Sequence, residues 1–296
     1  MPDIQTLCGT PNPIFQAGMG GIAGPELAAA ISNSGGLGHL GGIRLSAKNL
    51  QDWIQKTKVL TDNPFAINLV APGGGPDGFE AQLDVVIREK PKAVSLYWGD
   101  FANVIPRLKA SGITVMVQVG SVSGAKKALQ DGADIIIAQG IEAGGHVISK
   151  IGLLTVLSDI IQVAGTAPVL AAGALSTPHK IKSVLRMGAA GAWVGTSFVA
   201  ASESNAHPIY RQRLIDATAD DTHHGHFYSY GWPIGTPYRV IKPKVKSLRQ
   251  HKAAGARRGD TDRFSETVQL YAGQGVGDVK DVKPAAEIMK DLGRGL

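Results

Sequence analysis

Short apolar segments rich in β-branched residues alternate with segments of helical character through the first two thirds of the chain. Such apolar runs predict strands that are buried on both faces, and their alternation with helices is typical of a parallel sheet covered by helices. Eight strand–helix units favour a closed (β/α)₈ barrel of the TIM type over an open doubly wound sheet. The predicted strands are 13–16, 36–40, 65–69, 93–97, 114–119, 134–139, 168–172 and 192–195, and the predicted helices are 25–34, 47–58, 77–89, 104–110, 121–130, 153–163, 178–187 and 208–217.

The pattern changes after the eighth unit. Residues 220–240 are rich in His, Tyr, Gly and Pro and show little periodicity, residues 253–270 have mixed helical character, and 284–292 predict a closing helix. We therefore expect a barrel over 1–217. Residues 218–296 are expected to form a C-terminal extension packed over the barrel mouth, not an independent domain.

Composition narrows the functional classes. The single cysteine, Cys8, rules out an intramolecular disulfide and makes a reducing cytoplasm the default expectation. No secretory signal and no apolar run of bilayer length is visible, so we expect no membrane partner.

Segment 239–263 contains nine Lys or Arg against two acids, which accounts for the whole net charge of +6. A local basic segment of this kind more often forms a solvated face, or a patch for an anionic ligand, than a nucleic-acid interface.

The sixth predicted strand ends in Gln139-Gly140-Ile141-Glu142-Ala143-Gly144-Gly145-His146. The two glycines before the histidine leave bare backbone for a flat ligand, and an imidazole can exchange a proton near neutral pH. The alternative is a glycine-rich loop with a surface histidine. Glu142 and His146 are candidates for an acid–base pair, but Glu142 is an equally good candidate for a residue that only ties down the loop.

Glycine-rich tips after the last two strands, Ala171-Ala172-Gly173-Ala174 and Val194-Gly195-Thr196-Ser197, lie where barrels often bind a phosphate monoester. Three amides near strand ends, Asn68, Gln118 and Gln139, suit the edge of a heterocycle, although such amides often only satisfy loop backbone. His223, His224 and His226 lack a carboxylate or cysteine at matching spacing, so we interpret them as part of a polar lid and expect no metal. For Cys8 we favour a small buried residue over a nucleophile.

These segments together resemble the nitronate monooxygenase family, formerly called 2-nitropropane dioxygenases. The resemblance covers nearly the whole chain, and the Glu-Ala-Gly-Gly-His string is its most specific part. The matching segments are 16–19, 35–38, 64–68, 117–120, 139–146, 171–173, 194–196 and 271–274. Related flavin enzymes, the enoyl-acyl-carrier-protein reductases and some NADH:quinone reductases, share much of this pattern.

The resemblance implies an FMN-dependent (β/α)₈ barrel in which His146 faces the substrate as the catalytic residue. It implies that cofactor-binding residues follow several strands: Ala17, Gly18, Met19, Asn68, Gln118, Gly145, Gly173, Ala174, Gly195, Thr196 and, from the extension, Gln274. The chain departs from the family at three positions, with Gly18 where proline is common, Ala174 where a second glycine is frequent, and Ile148 where a glycine is frequent. The last departure alters the surface just beyond His146.

Three functions follow as hypotheses. The first is FMN-dependent oxidation of an alkyl nitronate, or of a nitroalkane, by molecular oxygen, in which His146 orients the substrate or acts as a base. The second is an NAD(P)H-dependent FMN reductase acting on a quinone or an enoyl thioester, with the basic segment serving a nucleotide phosphate or an acidic carrier. The third is a non-catalytic flavin- or phosphate-binding protein. The sequence does not specify the oligomeric state.

Overall fold

Eight parallel strands form the barrel wall in the computed structural model, which describes residues 4–226, 232–242 and 269–296. The sheet runs from the first strand through the last barrel strand and back to the second, and a single bridge between Phe15 and Leu37 closes it. The predicted TIM-barrel class is therefore confirmed. The barrel strands are β1 Ile14–Gln16, β2 Gly38–Gly41, β3 Phe65–Val70, β4 Ala93–Tyr97, β5 Thr114–Val119, β6 Ile135–Gln139, β8 Val169–Ala172 and β9 Gly191–Val194, and a short strand, β7 Gly145–His146, lies outside the barrel wall.

Side-chain hydrogen bonds strengthen the seam between β1 and β2. The buried amide of Gln16 accepts from the His39 backbone N–H at 2.9 Å and donates to the His39 carbonyl at 3.0 Å. Because β1 and β2 share one backbone bridge, this side chain supplies ladder-like bonds that the backbone lacks.

Helices cover the outside of the barrel at nearly the positions that periodicity predicts. Ser46 directly precedes the predicted helix at 47–58, where the sequence pattern favours an N-cap serine, and its hydroxyl accepts from the Asn49 N–H at 3.1 Å. The helices are α1 Ile4–Cys8, α2 Pro25–Asn33, α3 Ala47–Leu60, α4 Gly78–Glu89, α5 Ile105–Ala110, α6 Val122–Gln130, α7 Leu153–Ala164, α8 Pro178–Arg186, α9 Thr196–Val199, α10 Pro208–Ile215 and α11 Ala285–Leu292.

Several strand boundaries differ from expectation by one or two residues. β2 begins at Gly38 because Leu37 forms only the isolated bridge to Phe15, and β9 ends at Val194 because the one-turn helix α9 begins at Thr196. The helix after the eighth strand is therefore preceded by an extra turn that the sequence pattern did not separate.

The interior of the barrel is a packed apolar cluster. Phe15, Leu37, Met116 and Ile137 are fully buried in it. Cys8 of α1 packs into the same cluster, and burial raises the pKa of its thiol to about 12. Cys8 is thus a buried core residue and not an activated nucleophile.

A second, three-stranded antiparallel sheet contains the predicted histidine. It consists of β10 Thr222–Gly225, β11 Tyr238–Ile241 and β7, with β11 in the middle. Tyr238 pairs with His146, and Arg239 pairs with Gly145. Residues from the C-terminal third of the chain therefore fix the backbone of the loop that follows β6.

Most of the basic segment 239–263 lies outside the described residues, as does the segment of mixed helical character up to residue 268. The predicted closing helix is observed as α11, which packs on α2 and α8. In the part of the chain that the structure describes, no helix is long and apolar enough to cross a membrane.

Candidate active site

A cavity opens at the carboxyl ends of the barrel strands. Its volume of about 230 Å³ far exceeds the roughly 30 Å³ share of one water, so it admits a ligand of many atoms. The cavity is lined by all but one of the residues predicted from the sequence: Ala17, Gly18, Met19, Asn68, Gln118, Gly145, His146, Gly173, Ala174, Gly195 and Thr196. Loops after six different strands thus meet around one space.

Gln274 is the predicted residue that the structure does not bring to the cavity. Its side chain is exposed, and its backbone N–H donates to the Glu142 carbonyl at 2.9 Å at the start of a 3₁₀ turn. The neighbouring Gly275 lines the cavity instead. The expectation that Gln274 reaches in was wrong because the turn directs the next residue, not Gln274, toward the barrel.

In the cavity wall, the backbone of Gly18 packs closely against the side chain of Asn68. A Cβ atom added there would lie 2.1 Å from the Cβ of Asn68, so no larger residue fits without moving that side chain. Asn68 is itself held in place, because its Nδ2 donates to the Ser95 hydroxyl at 3.0 Å. The position of the Asn68 side chain therefore suits the glycine that this chain has at position 18 in place of proline.

The glycine-rich tips after β8 and β9 present backbone donors to the cavity. Among the described residues, no protein acceptor bonds the N–H groups of Ala174, Gly195 or Thr196. Ala174 has a left-handed φ of 51°, which explains why a glycine is frequent here in the family. The Thr196 hydroxyl accepts from the Gly273 N–H at 3.0 Å and so joins this tip to the extension.

His146 lies in the cavity wall with a side chain that is 8% exposed. Its carbonyl accepts from the Tyr97 hydroxyl at 2.9 Å and from the Gln139 amide at 3.0 Å. Its Nε2 is buried and has no hydrogen-bond partner among the described residues. Burial, followed by the positive charge of Arg44, lowers the pKa of His146 to about 3, so the imidazole is neutral at ordinary pH.

Aromatic rings surround this imidazole. The Trp232 ring stacks on it, with ring centroids 3.8 Å apart and planes inclined by 18°, and Tyr271 lies against it at 5.4 Å. Trp98 meets Trp232 edge to face at 5.6 Å. These rings exclude water from one face of His146, which is why its charged form is disfavoured.

Gln139 lies in the cavity wall, and its side-chain amide holds the loop that follows β6. Its amide nitrogen donates to the His146 carbonyl, and its oxygen accepts from the Ile148 N–H at 2.9 Å and from the Tyr97 hydroxyl at 3.1 Å. Of the three amides singled out in the sequence, Gln139 thus follows the alternative in which an amide satisfies loop backbone. Gln118 also lies beside the Tyr97 hydroxyl, while remaining in the cavity wall.

Glu142 also ties down the loop. Its carboxylate accepts from the Leu153 N–H at 2.9 Å, at the first residue of α7, where an acceptor satisfies an otherwise unbonded N–H. Arg239 lies near this carboxylate and donates to the Ile141 carbonyl at 3.0 and 3.1 Å. The geometry favours the structural alternative for Glu142 over an acid–base pair with His146.

The histidines at 223–226 do not gather around a common point with carboxylates. In the described ranges, no group of three or more His, Cys, Asp or Glu side chains is placed to hold a metal ion. His224 and His226 instead meet edge to face at 5.3 Å.

Sequence reasoning missed Arg44, Tyr97 and Trp232. Arg44 follows Gly41 and Gly42 at the tip of β2, so the rule that ligands bind beyond strand ends could have found it. Tyr97 ends an apolar run and was indistinguishable from a core residue. Trp232 lies in an aperiodic segment whose position depends on pairing with β7, which no local pattern reveals.

Comparison with known protein families shows to which family the chain belongs. The family model described as nitronate monooxygenase matches residues 2–77 and 73–295. The chain belongs to this family. It is therefore an oxidoreductase of a flavin-dependent family, and the predicted resemblance is confirmed.

The curated relatives of this chain include nitronate monooxygenases and carboxyl-CoA dehydrogenases. The nitronate monooxygenase of Pseudomonas aeruginosa is 30% identical over 97% of this chain and 96% of its own length. A (3aS,4S,5R,7aS)-5-hydroxy-7a-methyl-1-oxo-octahydro-1H-indene-4-carboxyl-CoA dehydrogenase of Rhodococcus jostii is 33% identical over 84% of this chain and 67% of its own length. This chain thus spans about two thirds of that dehydrogenase.

Solved structures agree on the architecture. FabK from Thermotoga maritima superposes with a TM-score of 0.86 at 28% identity, covering 98% of this chain and 94% of its own. The nitroalkane oxidase of Streptomyces ansochromogenes superposes with a TM-score of 0.82 at 29% identity, covering 96% of this chain and 95% of its own. The extension beyond the barrel is included in both superpositions.

Proposed function

We propose that the protein is an FMN-dependent enzyme that oxidises alkyl nitronates with molecular oxygen. The observation that carries the proposal is His146, which lines the cavity of a nitronate monooxygenase family barrel and whose buried Nε2 has no hydrogen-bond partner in the described part of the chain. A buried nitrogen without a partner is costly unless a ligand satisfies it.

The cavity fits the cofactor in two respects. The unbonded N–H groups of Ala174, Gly195 and Thr196 suit a phosphate monoester, which supports FMN as the flavin. At Gly145, which lines the cavity, a Cβ would meet nothing within 4 Å, so bare backbone borders open space there, which suits a planar ring. These residues, with Ala17, Gly18, Met19, Asn68, Gln118 and Gly173, would hold the cofactor.

The protonation state of His146 favours a nitronate over a neutral nitroalkane. A flavin held by these residues would supply the redox chemistry of the oxidation. An imidazole with a pKa of about 3 is a weak base and is poorly suited to removing a proton from carbon. Neutral His146 instead orients the substrate, while the positive charge of Arg44 stabilises its negative charge.

Oxygen consumption by the purified, flavin-containing protein tests the proposal. We expect uptake with propionate 3-nitronate or a propyl nitronate, and a visible spectrum typical of a flavoprotein. His146→Ala should retain flavin and lose most of this activity, whereas His179→Ala, which changes an exposed histidine outside the cavity lining, should not. Absence of uptake with every nitronate, or full activity of His146→Ala, would contradict the proposal.

A second candidate is a flavin-dependent oxidoreductase of an acyl thioester. It is favoured by the 33% identity with the carboxyl-CoA dehydrogenase of Rhodococcus jostii, whose name describes a coenzyme A thioester as substrate. Anaerobic bleaching of the flavin separates the two functions. Bleaching by NADH or NADPH, together with no response to nitronate, would select the thioester reaction.

A further inference from the structure

Arg44 is the one charged side chain in the lining of the cavity, as far as the described residues go. The remainder of the wall consists of apolar and neutral polar groups together with bare backbone. In such surroundings a guanidinium favours a negatively charged ligand, because a largely apolar and neutral wall weakens electrostatic attraction less than bulk water does. The cavity is therefore electrostatically suited to a negatively charged ligand.

The turn that carries Arg44 is rigidly built. The Arg44 N–H donates to the Gly73 carbonyl at 2.7 Å. The fully buried Gln82 amide donates to the carbonyls of both Gly42 and Leu45 at 2.7 Å, one on each side of Arg44. Four consecutive residues are thus fixed from both ends, and the direction in which the arginine leaves the backbone is fixed with them.

The backbone of Arg44 is unusual for an arginine. Its φ of 63° lies in the left-handed region, where a side chain is disfavoured and glycine would be accommodated without cost. Strained backbone of this kind persists where the surrounding structure enforces it, and it concentrates at ligand sites. Packing around the turn does not explain the residue type, since the side chain of Arg44 is half-buried in the cavity wall.

His146 supplies a second group in the same cavity. Its unpartnered Nε2 lines the space that Arg44 also lines, and the charge of Arg44 reaches the imidazole strongly enough to affect its protonation. A guanidinium is a planar fork of N–H donors that matches two oxygens in one plane. An anion that presents two oxygens to this fork fits an arginine and a neutral imidazole better than a lone halide does.

We propose that Arg44 binds the planar oxyanion group of the substrate and determines the selectivity of the cavity for anions. The inference rests on the proposed function in naming that substrate as a nitronate. Two substrate groups share the required chemistry: the nitronate group itself, and a carboxylate elsewhere on the same molecule. Arg44 acts here as a specificity residue that contacts substrate, and no bond to it forms or breaks.

Nitrate is the probe, because it is a planar oxyanion that cannot be oxidised as a nitronate is. Calorimetry on the flavin-containing protein should show nitrate binding that Arg44→Gln weakens roughly tenfold to a hundredfold, the range expected for a lost charge-assisted hydrogen bond. Arg44→Lys should bind nitrate more weakly than the unchanged protein and more tightly than Arg44→Gln, since an ammonium keeps the charge without the planar fork of donors. Arg44→Gly, which suits the left-handed turn, removes the side chain without straining the fold.

Lys90 provides the matched control. It is a cationic residue with a left-handed φ of 50°, but it is exposed at the end of α4 and does not line the cavity. Lys90→Gln should leave nitrate binding unchanged. In turnover, an equal rise of KM for a propyl nitronate and for propionate 3-nitronate would place the nitronate group at Arg44. A rise confined to propionate 3-nitronate would place the carboxylate there.

Two results would overturn the proposal. The first is nitrate binding that is the same in Arg44→Gln and Arg44→Gly as in the unchanged protein. The second is loss of flavin from these variants with normal substrate affinity in the fraction that keeps it, which would assign Arg44 to the cofactor. If no nitronate is oxidised but nitrate binding still depends on Arg44, the proposed function fails and the anion site stands.

Discussion

The side-chain amide of Gln139 donates a hydrogen bond to the main-chain carbonyl of His146 at 3.0 Å. Seven residues separate the two in sequence, and the loop between them contains the string that is most specific to the family. The amide oxygen of Gln139 also receives the Ile148 N–H, so one buried side chain holds the backbone on both sides of Val147. The imidazole is therefore positioned by the last residue of β6.

Gln139→Ala should destabilise the fold and displace His146. Removing the amide leaves the buried His146 carbonyl with one donor fewer and the Ile148 N–H without its acceptor, which costs about 1–3 kcal/mol. Urea unfolding measures the loss, and oxygen uptake with a nitronate measures the displacement. Gln130→Ala, at the exposed end of α6, should change stability by less than about 0.5 kcal/mol. Equal stability of the two variants would contradict the positioning role.

Gly18→Ala should disturb the cavity through Asn68. The added methyl would lie 2.1 Å from the Asn68 Cβ, so the asparagine must move away from Ser95, at a cost of about 1–3 kcal/mol. Flavin content after purification and thermal unfolding check this result.

Gly124→Ala is the matched control for the Gly18 substitution. In α6 a Cβ at Gly124 would lie 3.3 Å from Ser121 and Val119, a contact that a shift of a few tenths of an ångström relieves, and alanine favours the helix by about 0.5–1 kcal/mol. Gly124→Ala should therefore lower stability much less than Gly18→Ala does. If both substitutions change flavin content and thermal unfolding to the same extent, the close packing of Gly18 on Asn68 does not determine either property.

Acid should destabilise the protein in part through His146. Its folded-state pKa of about 3 lies below the value of about 6.5 for an unfolded histidine, so the unfolded chain binds more protons between those pH values. The free energy of unfolding therefore falls as the pH is lowered from about 6.5 toward 3. His146→Gln should remove on the order of 2 kcal/mol of the loss seen between pH 7 and pH 4.5.

Urea unfolding at the two pH values makes this comparison, with His179→Gln as the control for an exposed histidine. His39, whose pKa burial also lowers to about 3, remains in both variants and leaves part of the acid sensitivity in place. A pH dependence that His146→Gln does not alter would show that the imidazole is protonated in the folded protein.

The barrel was predictable from the sequence because its signals are local. The run from Thr114 to Val119 and the cap at Ser46 are each read from a few adjacent residues, and both appear where they were expected. The strand tips were also predictable, since parallel strands bring their carboxyl ends to one face of the barrel. That rule was enough to gather Gly18, Asn68 and His146 around one cavity.

The remaining features depend on contacts between distant segments. The pairing of Tyr238 with His146 joins parts of the chain that share no pattern, so the second sheet was not predicted. Gln274 was misplaced because the direction of a side chain in a 3₁₀ turn is set by its contact with Glu142. The position of Arg44 after β2 is accessible to the rule that ligands bind beyond strand ends, but its left-handed backbone is visible only in three dimensions. The division of the chain into a barrel over 1–217 and an extension stays a prediction.

The closure of the barrel has a consequence for the order in which the protein assembles during synthesis. The ladder partner of β1 is β9, with Ile14 opposite Ala192, and its contact with β2 is a single bridge. A nascent chain therefore emerges with an unpaired first strand that waits for most of the polypeptide to be translated. The loops that form the cavity converge only when this ring closes, so the cavity is complete only after the last barrel strand has been made.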